Sequence, residues 1–378
     1  MAWLTGWRYR RPITIDNTQN SNDLTDYQSF VTVDTASLIQ QGKMQTDGDD
    51  IRFTDSDGTT LLPYWLEGPI NASNTKIWVK VPSIPAGGTK TIYFYYGNPS
   101  ASSESSIADT FIRKIDGLIG CWHLDEGSGN IANDSSGNNR HGTIKGTTWV
   151  SGRFGHALSF DGVDDYINNI QLPIRRSGSQ IHSIVVWFKT SASSTGPVYM
   201  FGDSNKLGGS NSADEPLGWR SGNGNFSASI YASGHIYATA NQTYRDEKWH
   251  LSTVVLDKLS LRLYVDAVLV AENTNANASN AFSYPNNPYF WIGTRSKDSS
   301  NDIDNVKFYN GILDEIFVFN IALTTPEISD LYNYYGYTTP NYPGRVLVRK
   351  RIDPEPTTSV GNEETESIST STHIFIAY

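Results

Sequence analysis

Apolar residues recur at every second position along much of this chain, and this period constrains the fold more than any other feature. In the N-terminal part it is seen at Ile13 and Ile15, at Ile77, Val79 and Val81, and at Ile92, Phe94 and Tyr96. Side chains two positions apart lie on one face of a β-strand, so each set marks the buried face of a strand. The pattern predicts an all-β protein whose sheets pack face to face.

Composition agrees with a fold built from strands and turns. The aromatic fraction is 12%, and 32 glycines and 16 prolines provide residues for frequent turns. A length of 378 residues is enough for two or three domains. Cys121 is the only cysteine, so no disulfide can form within the chain, and we expect a buried thiol.

Charge and hydropathy exclude two classes of partner. The formal net charge is −10, and no run of Lys and Arg could follow a phosphate backbone, so nucleic acid is not expected. No stretch approaches the roughly 20 apolar residues that span a bilayer. No signal-peptide apolar segment is visible in MAWLTGWRYRRPITI. Either a signal has been removed, or the chain reaches the exterior by another route, for example as part of a virus particle.

The pattern divides the chain into four segments. They are a β-sandwich domain over residues 1–97, a polar linker or loosely packed crossover over 98–116, a second strand-rich domain over 117–337, and a C-terminal extension over 338–378. The extension holds apolar strand candidates at 345–352 and 373–378. An unpaired strand at a chain end exposes a sheet edge, so we expect the extension to dock on a sheet of this chain or on a partner.

Local signals place a turn and a helix in the second domain. Asp266 and Ala267 separate two alternating apolar runs, which predicts a hairpin. Thr324 and Glu327 have the spacing of a capping box, which predicts the start of a helix.

Three motifs in the second domain carry a family resemblance. In chain order they are GLIGCWHLDEGSGNIANDSSGNNRHGTIKG from Gly117, GRFGHALSFDGVDDYI from Gly152 and YNGILDEIFVFNIALTTPEISDLY from Tyr309. Their content and order resemble the laminin-G-like branch of the concanavalin A-like superfamily. The resemblance implies two tandem β-sandwiches, in which a concanavalin A-like jelly roll follows the N-terminal sandwich and precedes a C-terminal strand extension.

The N-terminal domain carries a second resemblance. Residues 7–97, from WRYRRPITIDNT to KTIYFYYGNPS, resemble an uncharacterised β-sandwich domain that precedes lectin-like modules in archaeal and bacterial surface proteins. That domain has no known function at family level, so the resemblance points only to the surface of a cell or virion.

Calcium is the cofactor that the resemblance implies, because many laminin-G-like domains hold one. Asp134 in DSSGNN and Asp314 in LDEIFVFN are the motif positions that would supply ligands. The alternative is that Asp134 closes an Asx-turn and that Asp314 accepts hydrogen bonds from backbone N–H groups. The acidic runs at 55–58 and 161–165 are explained by turns, since neither continues into an EF-hand pattern.

A glycan site needs aromatic faces for stacking and polar groups for hydroxyls. The span 196–245 offers Trp219, Tyr231, Tyr237 and Tyr244 among Gly, Ser and Asn, so these four aromatic residues are the candidate ligand contacts. The alternative is that they pack inside the sandwich.

Catalysis is not expected. Glucanases of this superfamily use two carboxyl groups from an E-x-D-x-E strand, and this chain has no such pattern. Asp314 and Glu315 are adjacent, so an unbroken strand would point them to opposite faces. His123 and His250 follow tryptophans in strand-like contexts, which is typical of hydrogen-bonded structural histidines.

Five Asn-x-Ser/Thr sequons fit a glycosylated exterior protein, although a chain rich in Asn and Ser also produces sequons by chance. They begin at Asn71, Asn133, Asn225, Asn241 and Asn277.

These observations predict a non-enzymatic exterior protein for recognition or adhesion that binds carbohydrate, on a virion as a spike, turret or decoration protein, or on a cell envelope. The expected partners are a glycan or surface receptor, and further copies of the chain or neighbouring structural proteins. Two alternatives stay open: a purely structural decoration protein that binds no sugar, and a glycoside hydrolase of the same superfamily.

Overall fold

The computed structural model describes residues 2–174, 181–192, 196–202, 214–219, 224–231, 235–258, 260–274, 288–295 and 307–366. Within this part of the chain the structure consists of antiparallel strands with three short helices. The chain forms two compact units. Unit 1 contains Met1–Ile112 and Arg349–Tyr378, and unit 2 contains Arg113–Val348.

The elements of the first part of the chain are β1 (Tyr9–Asp16), β2 (Leu24–Val33), α1 (Thr35–Gln40), β3 (Arg52–Thr54), β4 (Tyr64–Gly68), β5 (Thr75–Ile84), β6 (Thr89–Tyr96) and α2 (Ile107–Thr110). There follow β7 (Arg113–Asp116), β8 (Leu118–Trp122), β9 (Ile131–Ala132), β10 (Gly142–Lys145), β11 (Thr148–Ser151), β12 (His156–Asp161), β13 (Tyr166–Gln171), β14 (Ile181–Lys189), β15 (Tyr199–Gly202) and β16 (Asp214–Trp219). The last elements are β17 (Phe226–Tyr231), β18 (His235–Thr239), β19 (His250–Asp257), β20 (Ser260–Val265), β21 (Val268–Asn273), β22 (Tyr289–Ile292), β23 (Thr294–Arg295), β24 (Lys307–Phe308), β25 (Asn310–Phe319), α3 (Thr325–Asn333), β26 (Tyr335–Tyr337), β27 (Arg345–Arg349), β28 (Thr357–Val360) and β29 (Glu364–Thr365).

Unit 1 is a sandwich of two sheets. One sheet has the strand order β28-β1-β6-β3, with β29 also paired to β1, and the other has the order β2-β5-β4. The apolar residues that recur at period two in the sequence are all fully buried in the core of this unit: Ile13, Ile15, Ile77, Val79, Val81, Ile92, Phe94 and Tyr96. The period-two prediction for the N-terminal domain is therefore confirmed.

The C-terminal extension docks on a sheet of its own chain. Strand β28 pairs with β1 so that Val360 lies opposite Ile13, and β29 continues the pairing so that Glu364 lies opposite Arg10. The Arg10 guanidinium donates to the Glu364 carboxylate at 2.7 Å. The extension therefore covers an edge of the unit 1 sheet, while the strand candidate at 373–378 lies outside the described residues.

The segment predicted as a linker differs from expectation. Helix α2 and strand β7 both lie within residues 98–116, and the units divide after Ile112 and again after Val348. Phe111 is 4% exposed, because its ring packs 5.6 Å from the rings of both Trp65 and Trp78. One large apolar side chain thus holds a mostly polar segment against a sheet.

Unit 2 is a larger sandwich. We call its two sheets the front sheet, with the order β18-β17-β16-β15-β22-β13-β10-β9, and the back sheet, with the order β11-β12-β25-β14-β19-β20-β21 and β8 paired to β25. A continuous cluster of buried apolar side chains fills the space between them, including Trp122, Phe160, Phe188, Phe290 and Val318. The predicted fold of two tandem β-sandwiches is confirmed.

The predicted helix and hairpin are both present. Helix α3 begins with a capping box in which the Thr324 backbone N–H donates to the Glu327 carboxylate at 2.8 Å. Asp266 and Ala267 connect β20 to β21, with φ angles of 51° and 62°. Two consecutive residues with positive φ are the signature of a type I′ hairpin turn. No helix in the described part of the chain is long and apolar enough to cross a membrane.

The hairpin generates a stability prediction. Ala267 bears a Cβ in the left-handed region, which costs an L-residue about 1–2 kcal/mol. Ala267→Gly should therefore raise the free energy of unfolding by about 1 kcal/mol, measured by chemical denaturation. Ala271 lies in β21, packed against the core, so Ala271→Gly should lower it by about as much. Equal effects of the two changes would contradict a type I′ turn at this position.

Candidate functional site

Strand β25 contains a bulge that breaks its alternation. Trp187 pairs with Asp314 and Val185 pairs with Phe317, so two residues of β25 face one residue of β14. The core residues Leu313 and Ile316 are consequently three positions apart, and the two residues between them lie together on the outer face of the back sheet. The expectation that Asp314 and Glu315 point to opposite faces is wrong, because it assumed an unbroken strand. Glu315 takes up the extra length with a φ of 50°.

Asp314 is fully buried on this face. Its Oδ2 accepts hydrogen bonds from the backbone N–H groups of Arg153 at 2.7 Å and Phe154 at 3.1 Å. Its Oδ1 has no donor within hydrogen-bond distance in the described part of the chain. Burial, together with the neighbouring Glu315 carboxylate, holds the pKa of Asp314 well above its ordinary value.

Glu315 is 1% exposed and faces a histidine. Its Oε2 lies 2.7 Å from His123 Nδ1, and His123 Nε2 lies 2.8 Å from the Thr338 hydroxyl and 3.5 Å from Cys121 Sγ. Burial opposes protonation of the imidazole, yet Cys121 and Glu315 hold the pKa of His123 well above its ordinary value. His123 is therefore the expected structural histidine, and its positive charge balances one of the two carboxylates.

The carboxylate of Asp125 lies near that of Asp314, and the sequence analysis did not identify it as a candidate. Its Oδ1 accepts from the His156 backbone N–H at 2.8 Å, and its charge contributes to the raised pKa of Asp314. A Cβ at Gly152 would lie 2.5 Å from Asp314 Oδ2, and one at Gly155 would lie 2.0 Å from Asp125 Oδ1. Only glycine allows the turn to approach both carboxylates so closely. The available signal was an acidic residue directly before a Gly-rich turn, in HLDEGSG.

Asp134 has a different environment from Asp314. Its Oδ1 accepts from the backbone N–H groups of Cys121 at 3.0 Å and Ser136 at 2.9 Å, and its Oδ2 accepts from that of Arg140 at 2.9 Å. These contacts organise the DSSGNN turn and fasten it to β8. The geometry matches the Asx-turn alternative for Asp134.

The remaining acidic runs have the contacts of turns. Carboxylate oxygens of Asp161, Asp164 and Asp165 lie within 4.8 Å of one another, and Asp165 accepts from the Asp161 backbone N–H at 2.9 Å. In the other run, Asp57 accepts from the Thr60 backbone N–H at 2.9 Å. Both are consistent with the turn interpretation.

Two of the four aromatic candidates, Tyr237 and Tyr244, have described side chains, and these have different surroundings. Tyr237 lies opposite Ser229 on the outer face of the front sheet, where its side chain is half-buried. Tyr244 instead packs edge-on against the rings of Phe226 at 6.0 Å and His250 at 5.2 Å, as part of the core boundary. The packing alternative thus describes Tyr244.

The other two aromatic candidates are described only by their backbone. Trp219 pairs with Phe226, and Tyr231 pairs with His235. Their side chains lie outside the described part of the structure.

The sequons differ in exposure. Asn71, Asn133 and Asn241 are exposed, and Asn225 is half-buried. Asn277 lies outside the described residues.

Comparison with known families identifies both domains. A family model described as the concanavalin A-like lectin/glucanases superfamily matches residues 161–329. Residues 161–329 thus resemble this superfamily, and we call the second domain the concanavalin A-like domain. A model described as a domain of unknown function, DUF2341, matches residues 47–124, which confirms the uncharacterised N-terminal domain. A comparison with curated proteins gives no match.

Among solved structures, the chain is similar to domain 4 of AbnA, an extracellular arabinanase from Geobacillus stearothermophilus solved with arabinotriose, at 19% identity and a TM-score of 0.45. That alignment covers 57% of this chain and 98% of the domain. The chain is also similar to the binding domain of Paraclostridial Mosquitocidal Protein 1, at 15% identity and a TM-score of 0.41, covering 57% of this chain and 52% of that one. The chain is similar as well to the receptor binding domain of botulinum neurotoxin mosaic serotype C/D, at 14% identity and a TM-score of 0.41. That alignment covers 58% of this chain and 51% of the neurotoxin domain. The chain thus spans about half the length of these two binding domains.

A second histidine in the concanavalin A-like domain lies between two carboxylates. His250 Nδ1 is 2.7 Å from Asp266 Oδ2, and His250 Nε2 is 2.9 Å from Asp246 Oδ1. A neutral imidazole has one N–H and could donate to only one of them, so this geometry requires the protonated ring. Burial opposes protonation, but the two carboxylates raise the pKa of His250 above its ordinary value.

This arrangement predicts a pH-dependent stability. Because the folded-state pKa of His250 is raised, its contribution is complete below the unfolded pKa of about 6.5 and is lost as pH rises through the folded-state pKa. The free energy of unfolding should therefore fall as pH rises through that range. His250→Gln should remove the part of this dependence that His250 contributes, leaving the part due to His123. The change should cost about 1–3 kcal/mol of unfolding free energy at acidic pH, measured by denaturant titration across pH.

The exposed His156 offers a matched control. His156→Gln should keep the wild-type pH profile. An unchanged profile in His250→Gln would show that another group causes the dependence.

Proposed function

We propose that this protein is a non-enzymatic recognition or adhesion protein that binds carbohydrate through its concanavalin A-like domain at the exterior of a virion or cell envelope. The observation that carries the proposal is the match of this domain to the concanavalin A-like lectin/glucanases superfamily, in a domain whose adjacent carboxyl groups Asp314 and Glu315 are buried. The N-terminal sandwich then serves as a second structural domain.

The state of the acidic pair supports the absence of hydrolysis. A retaining glycosidase needs two carboxyl groups about 5–5.5 Å apart on either side of an accessible glycosidic bond. Asp314 and Glu315 are 0% and 1% exposed, and they are bound by backbone N–H groups and by His123. Their position on the outer face beneath this packing leaves no room for a sugar between them.

The sequons support an exterior location. Asn71, Asn133 and Asn241 are all exposed, so an exported chain could be glycosylated at each without unfolding. Glycosylation of these three positions is part of the proposal.

Calcium binding by the concanavalin A-like domain is the second part of the proposal. Asp314 and Asp125 are the residues that would hold the ion, since both converge on the turn from Gly152 to His156 and Asp314 Oδ1 has no protein donor among the described residues. Three carboxylates lie near one another here and only Glu315 is paired with a histidine, so a bound cation would compensate the excess negative charge. Carboxylate oxygens are the ligands that calcium prefers.

The calcium proposal predicts a selective loss of stabilisation. Calcium should raise the melting temperature of the wild-type protein relative to the chelated protein. By mass action, calcium at 100 times its dissociation constant should add about 2.7 kcal/mol to the free energy of unfolding. Asp314→Asn should abolish this increment and leave the calcium-free protein at least as stable as wild type, because it replaces a carboxyl group whose ionisation is opposed by burial and by Glu315, while an amide oxygen still accepts from Arg153 and Phe154. Differential scanning calorimetry with calcium and with a chelator measures both.

Asp134→Asn is the matched control. Its amide would place a donor against one of three backbone N–H groups, so it should lose about 1–3 kcal/mol with and without calcium and keep the calcium increment. A full calcium increment in Asp314→Asn would contradict the assigned site.

The recognition proposal predicts binding without turnover. The purified full chain should bind one or more immobilised glycans on an array, and incubation with the bound glycan should release no reducing ends. Release of reducing ends that Glu315→Gln abolishes would contradict the non-enzymatic function. Absence of any glycan ligand would contradict the carbohydrate-binding part and favour a purely structural role.

A further inference from the structure

We infer that one surface of the front sheet, which we call the amide strip and define as Tyr166, Asn168, Asn169, Gln171 and Tyr289, is the binding site for an uncharged oligosaccharide. The inference rests on the proposed carbohydrate-binding function and adds the site and the ligand class. The strip lies on β13 and its neighbour β22, outside the span that the sequence interpretation singled out.

A β-bulge creates the strip. Ile167 pairs with Ile292 and Ile170 pairs with Phe290, so two residues of β13 face Trp291 alone. Ile167 and Ile170 are both fully buried in the core. The two asparagines between them must therefore lie side by side on the outer face, and Asn169 reaches this arrangement with a φ of 66°.

Such a bulge gives up regular ladder pairing and re-aims side chains, which is why bulges recur beside binding sites. Here it doubles the number of amides that face outward. Asn169 is exposed and Asn168 is half-buried. The Asn169 side-chain N–H donates to the Thr143 hydroxyl at 2.8 Å, so this amide is held in one orientation before any ligand arrives.

Aromatic rings stand at both ends of the strip. Tyr166 is half-buried, with its ring 5.6 Å from that of Trp291 and 6.4 Å from that of Phe308, so its orientation is fixed. Tyr289 is half-buried and pairs with the exposed Gln171. Tyr166 and Gln171 are about 15 Å apart along the strand. Two ring faces thus bracket three amides over the length of a short oligosaccharide.

The chemistry of the strip selects the ligand class. A side-chain amide both donates and accepts hydrogen bonds, as sugar hydroxyls do, and tyrosine faces stack against the apolar faces of sugar rings. A carboxylate, sulfate or phosphate ligand would instead require Arg or Lys at the centre of the site. The strip contains no charged residue, and Lys145 lies only at its end, opposite Tyr166.

Other parts of the same face are closed. Met200 and Trp291 are fully buried, and Ser227 and Ser229 are 5% exposed, so none of them offers a surface for a ligand. Within the described residues of the sheet, Tyr237 is a separate half-buried aromatic residue on β18, whereas on β13 and at the start of β22 open amide and aromatic side chains lie next to one another.

The test uses full-length variants and a panel of neutral oligosaccharides, with affinities measured by isothermal titration calorimetry. Gln171→Ala and Asn169→Gly each remove one amide, and glycine at 169 preserves the positive φ. Each change should weaken binding of a neutral ligand about tenfold, the loss that 1.4 kcal/mol represents. Melting temperatures close to that of the wild type would show that the fold is intact.

Two controls separate the site from the function. Asn139 is another exposed asparagine with a positive φ of 57°, so Asn139→Gly should leave the affinity unchanged. Lys145→Gln should also leave binding of a neutral glycan unchanged. If the wild type binds neutral glycans and the strip variants bind them equally well, the strip is refuted while the proposed function stands. Binding of acidic glycans alone overturns the ligand class, and a wild type that binds no glycan overturns the function itself.

Discussion

The alternation of buried and outward side chains is the constraint on which both sandwiches depend. A strand between two layers must send every second residue into the core, and a shift of one position would move the whole apolar set to the wrong face. Strands β1, β5 and β6 obey this rule without exception at the positions that the sequence marks. A break in the alternation therefore marks a place where the strand must bulge, because its residues on both sides of the break still have to face the core.

Two breaks in unit 2 have the same geometry. In β25 the core residues Leu313 and Ile316 are three positions apart, and in β13 the same is true of Ile167 and Ile170. Each break leaves two consecutive polar residues on an outer face and puts one of them at positive φ, Glu315 in the back sheet and Asn169 in the front sheet. A residue other than glycine at positive φ costs free energy and persists where its surroundings fix it, which happens most often at functional positions. The first break gathers carboxylates and the second gathers amides.

The regular parts of this structure can be predicted from the sequence, but the two breaks in the alternation cannot. Period-two burial, the Thr324 capping box and the Asp266–Ala267 hairpin turn all depend on residues close together in the chain, so short-range patterns were sufficient to predict them. A bulge at Glu315 has no such signal, because glutamate is not a residue that favours positive φ. The position of Asp125 could not be predicted because Asp314 is far away in the chain. The two carboxylates come together only because both accept hydrogen bonds from the turn at Gly152–His156. Phe111, which packs against the rings of Trp65 and Trp78, stands with Ile107, Ile112 and Ile115 in a stretch whose apolar residues follow no period.

Electrostatics separates the two breaks in what they can do. Asp314 and Glu315 are buried and Asp125 is half-buried beside them, and His123 balances one negative charge of the three. A buried excess of negative charge is unfavourable unless protons or a cation compensate it, so the cluster in the back sheet is suited to hold an ion and unsuited to open toward a substrate. The amides of the front sheet carry no charge, so burying them costs less free energy than burying a carboxylate. We therefore propose that the bulge in β13 recognises a polar, uncharged ligand, while the bulge in β25 holds the loop from Gly152 to His156 against the back sheet.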